Sequence, residues 1–327
     1  MSVLLPSREQ REFVEDLLRP VATLLPVSRL QKDVSSDVAS WNSLAELGWL
    51  AAAASENVGG VGLSAVECAL MSERLGEFLA SPTVVATIVA ARLLEASQPE
   101  LSKTLASGEV RAAFGFVGRD ELPIAVDPMD AALLVVVGKN EVSIHEVQQY
   151  GAPLSEAHTL WSSSLHSCVL AKTVSTTSDP IETANVLVML AAQSAGIAIA
   201  SRDTAVEYAK LRQQFGQPIG AFQAVKHQCA DMAARALAAF DLVCFASVAV
   251  AEARPDASFL SAAALNLAVR SAVLNAGSNI HIHGGMGFSQ ECSAHHYLKR
   301  ARVLEALAGG ISGVRQRMLA MDPRLAG

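Results

Sequence analysis

The sequence has 327 residues, 51% of them hydrophobic and 5% aromatic, with a formal net charge of −7. A chain of this length can bury a large core and accommodate two or three domains. Its acidic balance and lack of any run of like charges argue against nucleic acid or an anionic membrane as partner.

The five cysteines, Cys68, Cys168, Cys229, Cys244 and Cys292, form no C-x-x-C pair. An odd number of unpaired thiols fits a reduced, cytoplasmic setting. The segment MSVLLPSREQREFVEDLL has no basic region followed by an apolar core, so no signal peptide is expected. The longest apolar stretches, 185–200 and 236–251, are broken by Gln193 and Ser194 and by Asp241. Neither is a clean run of about 20 apolar residues, and buried bundle helices are expected instead.

In chain order, residues 9–18 space Phe13, Val14, Leu17 and Leu18 at helical intervals. Pro20 and Pro26 interrupt, and a second helix is predicted over 40–50. A glycine-rich turn follows at 56–64, where Ser64 and Glu67 have the spacing of a capping box. That helix runs to about Leu79, and Ser81-Pro82-Thr83 opens another. Between about Val110 and Thr177 the pattern changes to β. AALLVVVG at 131–138 is a short strand. Residues 141–147 alternate, with Val142, Ile144 and, by register, Glu146 on one face, and 167–173 is a third strand. Long helices then follow at 181–211, 222–253 and 257–277, with a shorter one at 296–308, lengths that suit a four-helix bundle. The predicted organisation is mainly α: a helical region 1–109, a small β domain 110–179 and a helical bundle 180–327.

Two bundle segments carry chemistry. Residues 208–219 read YAKLRQQFGQPI and continue as Phe222-Gln223-Ala224-Val225-Lys226-His227; residues 281–288 read HIHGGMGF. Arg212 is permanently charged and forks to two oxygens, which suits a pyrophosphate. Phe215 offers a flat face beside it, and Gly284, Gly285 and Gly287 let backbone N–H groups approach a ligand closely. Alternatively, Arg212 is an interhelical salt-bridge partner and the glycines are only turns.

These segments resemble R-x-x-F-G-x-P-I/L and Q-x-x-G-G-x-G-Y/F of the acyl-CoA dehydrogenase family. Leu44-Ala45-Glu46-Leu47-Gly48-Trp49 and the Gly59-Gly60-Val61-Gly62-Leu63 turn are similar to it too, and the resemblance covers nearly the whole chain. It implies an FAD enzyme in which the two segments hold the ADP half of a cofactor whose flavin ring lies in the neighbouring subunit. The residues implied are Arg212, Phe215, Gln223, His281, Gly284 and Gly285. His281 replaces the family's Gln and can still donate a hydrogen bond.

The family's reaction removes an α proton while hydride passes from the β carbon to flavin, so it needs a carboxylate. Its two positions for that base fall here on Ala308 and Val186, and the family's Asp and Arg for CoA fall on Ala184 and Leu187. Glu305, three residues before Ala308, is a substitute base or a solvated or salt-bridged glutamate. The T-E-P-x-x-G-S-D stretch has no counterpart; GFVGRDELP stands at 115–123.

This pattern resembles the degenerate subunit of actinobacterial steroid-degrading acyl-CoA dehydrogenases, built as α2β2 heterotetramers. Residues 291–301, ECSAHHYLKRA, carry that likeness. It implies a homologous catalytic partner and a bulky, steroid-derived acyl-CoA. The alternatives are a self-sufficient homo-oligomeric enzyme with a relocated base and a non-enzymatic scaffold on the same fold. His281, His283, His295 and His296 make no closed zinc pattern, and no metal is expected.

Overall fold

The structure is a computed structural model that describes residues 4–31, 37–118, 122–154 and 164–320. Arg119, Asp120 and Glu121 of the 115–123 stretch lie outside them. The architecture is mainly α.

The N-terminal helices are α1 (Arg8–Leu17), α2 (Val21–Leu24), α3 (Asp37–Glu46), α4 (Ala65–Glu77), α5 (Pro82–Leu94) and α6 (Pro99–Ala106). Local chemistry sets their starts. Ser7 and Gln10 form a capping box at α1, and Ser64 and Glu67 form the expected one at α4. Each satisfies backbone donors that the first turn leaves free, worth about 1 kcal/mol. Ser81 caps α5, with Pro82 at its first position. Of the apolar residues expected to line α1, Val14 and Leu18 are buried, whereas Phe13 is exposed.

Five strands then close a small barrel: β1 (Ala112–Val117), β2 (Pro123–Val126), β3 (Leu133–Val137), β4 (Val142–Pro153) and β5 (Leu165–Thr177). Their order is β1-β2-β5-β4-β3, with β1 and β3 parallel and every other pair antiparallel. Three of these strands were expected; β1 and β2 are additional, and β4 and β5 run longer than predicted. Ala113, Ala125, Ala131, Leu134 and Cys168 pack together as a small apolar cluster of this domain, while Phe114, Val126, Val135 and Ile144 join the main core.

The remaining helices are α7 (Pro180–Leu211), α8 (Gln223–Ala251), α9 (Ala257–His283), α10 (Ala294–Leu307) and α11 (Gly310–Leu319). Helix α9 extends six residues past the expected Gly277, and α11 is additional. α7 is apolar all round because α4, α8, α9 and α10 surround it. Its most apolar window is 83% buried, whereas those of α8 and α9 are half buried. α4 and α7 cross at Gly76 and Gly196. A methyl group at Gly76 would meet the Gln193 carbonyl, and one at Gly196 would meet the Glu73 carbonyl. The helices therefore touch backbone to backbone, which fixes the N-terminal helices against the bundle.

Candidate functional site

The chain reverses direction between α7 and α8 through a miniature hairpin. Arg212 is the C-cap residue of α7, and its backbone is extended. The Ile219 N–H donates to its carbonyl at 2.8 Å. Between them β6 (Gln213–Gln214) pairs with β7 (Gln217–Pro218). The tip residues Phe215 and Gly216 have φ of 53° and 77°, the sign that a two-residue hairpin turn demands at both centres. Glycine adopts this freely; phenylalanine does so at a cost. Phe215 is 92% exposed, and its ring meets Phe222 edge to face at 6.2 Å. Gln223 opens α8 beside it, exposed.

The second segment lies at the end of α9. His281 is on the last helical turn and exposed, rather than in a loop as expected. Gly284 ends the helix at φ 62°, ψ −142°, a conformation open to glycine. A 3₁₀ turn, Gly284–Phe288, follows. The open space around Gly284 and Gly285 leaves their backbone accessible.

The fold brings the two segments together across about 70 residues of sequence. His283 stacks on Tyr208 with ring centroids 4.1 Å apart. Beneath this pair, Ile282 packs with Ala205, Ala209 and Met232 in a separate small core. Both residues lie inside the two motif segments, and in the sequence His283 stands out only as a candidate metal ligand; their stacking, which locks the ends of α7 and α9, carries no signal in the sequence.

The resulting surface suits the ADP half of a dinucleotide: a fixed positive charge at Arg212, a flat aromatic at Phe215 and approachable backbone at Gly284 and Gly285. Among the described residues Arg212 forms no ion pair, so the interhelical salt bridge is not made. Leu211, Met286 and Phe288 are exposed around it, an apolar rim of the kind that marks an interaction surface.

The positions aligned with the family's base, Val186 and Ala308, and with its CoA-binding Asp and Arg, Ala184 and Leu187, are different. Val186, Ala184 and Leu187 on α7 and Ala308 at the end of α10 are each 1% exposed and belong to the main core. None carries a group that accepts a proton. Glu305 is mostly covered and receives Arg302 Nη1 at 2.7 Å. Gln193 is fully buried, with its amide donating to the Ala80 carbonyl at 3.2 Å.

A further polar arrangement was not visible in the sequence. Arg29 Nε donates to Asp37 at 2.6 Å, and the Ser81 N–H donates to the other oxygen of Asp37 at 2.6 Å. The Ser81 hydroxyl reaches Asp127 at 3.4 Å, and Arg300 Nη1 donates to Asp127 at 2.8 Å. The chain of charges ties α3, the barrel and α10 together. Burial pushes the Asp127 carboxyl above the ordinary aspartate range, and the Arg300 guanidinium opposes that shift. Its directly bonded partners are up to 173 positions apart in sequence, as Asp127 and Arg300 are, so no local spacing could reveal them. His295 and His296 on α10 pack ring against ring at 4.0 Å. Among the described residues no three His, Cys, Asp or Glu side chains converge as metal ligands.

Comparison with known proteins identifies the family. Residues 7–108 match the acyl-CoA dehydrogenase N-terminal domain and residues 187–322 the C-terminal domain. Acyl-CoA dehydrogenase FadE34 of Mycobacterium tuberculosis is 35% identical over 85% of this chain, which spans only 41% of FadE34. Acyl-CoA dehydrogenase IpdE2 of the same organism is 30% identical over 89% of both proteins. Among solved structures, the ChsE4-ChsE5 complex from Mycobacterium tuberculosis has a TM-score of 0.77 at 23% identity, covering 98% of this chain and 100% of that one. The Tcur3481-Tcur3483 steroid ACAD G363A variant has a TM-score of 0.74 at 21% identity, covering 95% of each. FAD is the cofactor of this family. With its fold, its two flanking domains and a relative matched along nearly its full length, the chain belongs to the acyl-CoA dehydrogenase family.

Proposed function

We propose that this chain is the half-site subunit of a heteromeric, FAD-dependent acyl-CoA dehydrogenase. It lends Arg212, Phe215, Gln223, His281, Gly284 and Gly285 to the ADP half of an FAD, and a homologous partner subunit supplies the base and the flavin-ring pocket. The complex is an α2β2 heterotetramer acting on a bulky, steroid-derived acyl-CoA. The regions 1–109, 110–179 and 180–327 act as its helical, β and bundle domains.

One contrast carries this reading. The nucleotide-facing segments are gathered and exposed, while Ala308 and Val186 are apolar and sealed in the core. A side chain that cannot accept a proton cannot start α,β-desaturation. The ChsE4-ChsE5 complex and the steroid ACAD among the similar folds support a paired assembly and a steroid-derived substrate.

The test is expression alone and together with a homologous catalytic subunit, followed by an absorbance scan. The chain alone is expected to purify without flavin, and the pair to purify yellow. Stoichiometric FAD and acyl-CoA oxidation by the isolated chain would overturn the reading.

A further inference from the structure

A cavity of about 260 Å³ lies where α3, the start of α5 and the barrel meet, away from the α7–α9 surface described above. Its floor is apolar: Val38, Pro128 and Met129. Its polar lining falls into two groups, separated by which hydrogen-bonding capacity is already used.

The first group is internally satisfied. Asp37 is held by Arg29 and the Ser81 N–H. Asp127 is held by Arg300, the Ser164 N–H at 2.6 Å and the Ser81 hydroxyl. The hydroxyl protons of Ser81 and Ser164 are directed at Asp127. Each aspartate has its own guanidinium, so this pair adds no net charge to the cavity.

The second group has only acceptors to offer. The Tyr150 hydroxyl gives its proton to the Ala131 carbonyl at 2.6 Å, leaving the phenol oxygen as an acceptor. His166 Nδ1 lies 3.1 Å from the Gly151 carbonyl. A carbonyl can only accept, so Nδ1 carries a proton, and Nε2 is the ring nitrogen that can act as an acceptor. Asp130 is an exposed carboxylate that forms no ion pair or hydrogen bond among the described residues. Among the described residues it is the one lining carboxylate without a counter-ion. Tyr150 and His166 stand edge to face, 6.2 Å between centroids, and present aromatic surface beside it. A negative charge, free acceptors and an aromatic face attract cations and repel anions. The backbone adds a constraint: Asp127, Met129 and Asp130 all have positive φ, at 43°, 48° and 59°, so the lining is held in its present shape against local preference.

We propose that this cavity binds a small organic cation, a primary alkylammonium ion whose head meets Asp130, Tyr150 and His166 and whose short body lies on Val38, Pro128 and Met129. The head donates three hydrogen bonds and accepts none, the complement of what the second group offers. A neutral alcohol of equal length brings the same apolar body but one donor and no charge.

The experiment is isothermal titration of the full chain, with its co-expressed partner, using butylammonium chloride and butan-1-ol as probes. Saturable binding of butylammonium is expected in the millimolar range, about tenfold tighter than butan-1-ol. Asp130→Asn should weaken butylammonium about tenfold and leave butan-1-ol unchanged. Asparagine tolerates the left-handed backbone of residue 130 as aspartate does, and an unchanged thermal melt confirms that the variant folds. Tyr150→Leu should weaken the ammonium more than the alcohol. Equal affinity for the two probes, no saturation by butylammonium, or an unaltered Asp130→Asn titration would each overturn the proposal.

Discussion

Arg300 on α10 and Asp127 on the barrel form an ion pair at 2.8 Å in which neither side chain is more than 7% exposed. A pair so far from water is a poor source of net stability, but removing one partner leaves an uncompensated buried charge. Arg300→Met should therefore cost about 3–5 kcal/mol, read from urea denaturation. The double variant Arg300→Met with Asp127→Asn should recover a large part of that loss. If the two single losses simply add, the pairing is not what holds this junction.

Glu73 and Glu77 on α4 share a hydrogen bond, and Glu73 is nearly buried. Burial raises Glu73 well above the ordinary 4.5, and the neighbouring Glu77 charge adds to it. Arg74 and Arg11 oppose the shift. Glu77 is raised too, chiefly by burial, with Asp203 adding and Arg74 opposing. The folded state thus holds its proton more tightly than the unfolded chain. Its stabilising contribution is full below pH 4.5 and is lost as pH rises through the raised folded value. Glu73→Gln should flatten the fall in denaturation midpoint as pH rises above 4.5, and an unchanged slope would exclude this pair as its source.

The crossing of α4 on α7 leaves no room for a side chain at Gly196. Gly196→Ala must push the helices apart at the Glu73 carbonyl, despite alanine's better helix propensity. A loss of about 1–3 kcal/mol is expected, visible as a lower melting temperature.

The Arg212 side chain is exposed and forms no hydrogen bond or ion pair among the described residues. Arg212→Ala should leave the fold intact and deplete FAD from the co-expressed complex. Arg212→Lys keeps the charge but loses the planar fork, and should restore retention only in part. Flavin content per heterodimer, measured by absorbance after gel filtration, distinguishes the three proteins.

Glu305 is paired with Arg302 one helical turn away, an arrangement worth at most about 1 kcal/mol near the surface. Glu305→Gln should leave turnover of the complex unchanged. Loss of turnover would instead support a relocated base and a self-sufficient enzyme.

The helices and their caps were legible because their signals are local: Ser64 with Glu67, Ser81 before Pro82, and continuous apolar runs in α7 and α8. Strands β1 and β2 were not. Three of the four residues in Ala112-Ala113-Phe114-Gly115 are small, and none has the β-branched signature of a strand. The end of α9 was misplaced because Ser278, Asn279 and His281 look like loop residues, whereas Ile280 and Ile282 continue a buried helical face. The residues proposed to face the nucleotide were readable as motifs; the stacking of Tyr208 on His283, and the charge chain through Ser81, exist only in three dimensions.

The hairpin tip at Phe215 sets two selective pressures against each other. Its backbone is held in a conformation that costs a phenylalanine of order 1 kcal/mol, and its exposed ring gives almost nothing back to this chain. Phe215→Gly should make the isolated protein more robust, so a search for thermostable variants of the lone chain would discard the residue best placed to touch something else. Directed evolution of this protein is sound only when the selection is made on the assembled, flavin-loaded particle.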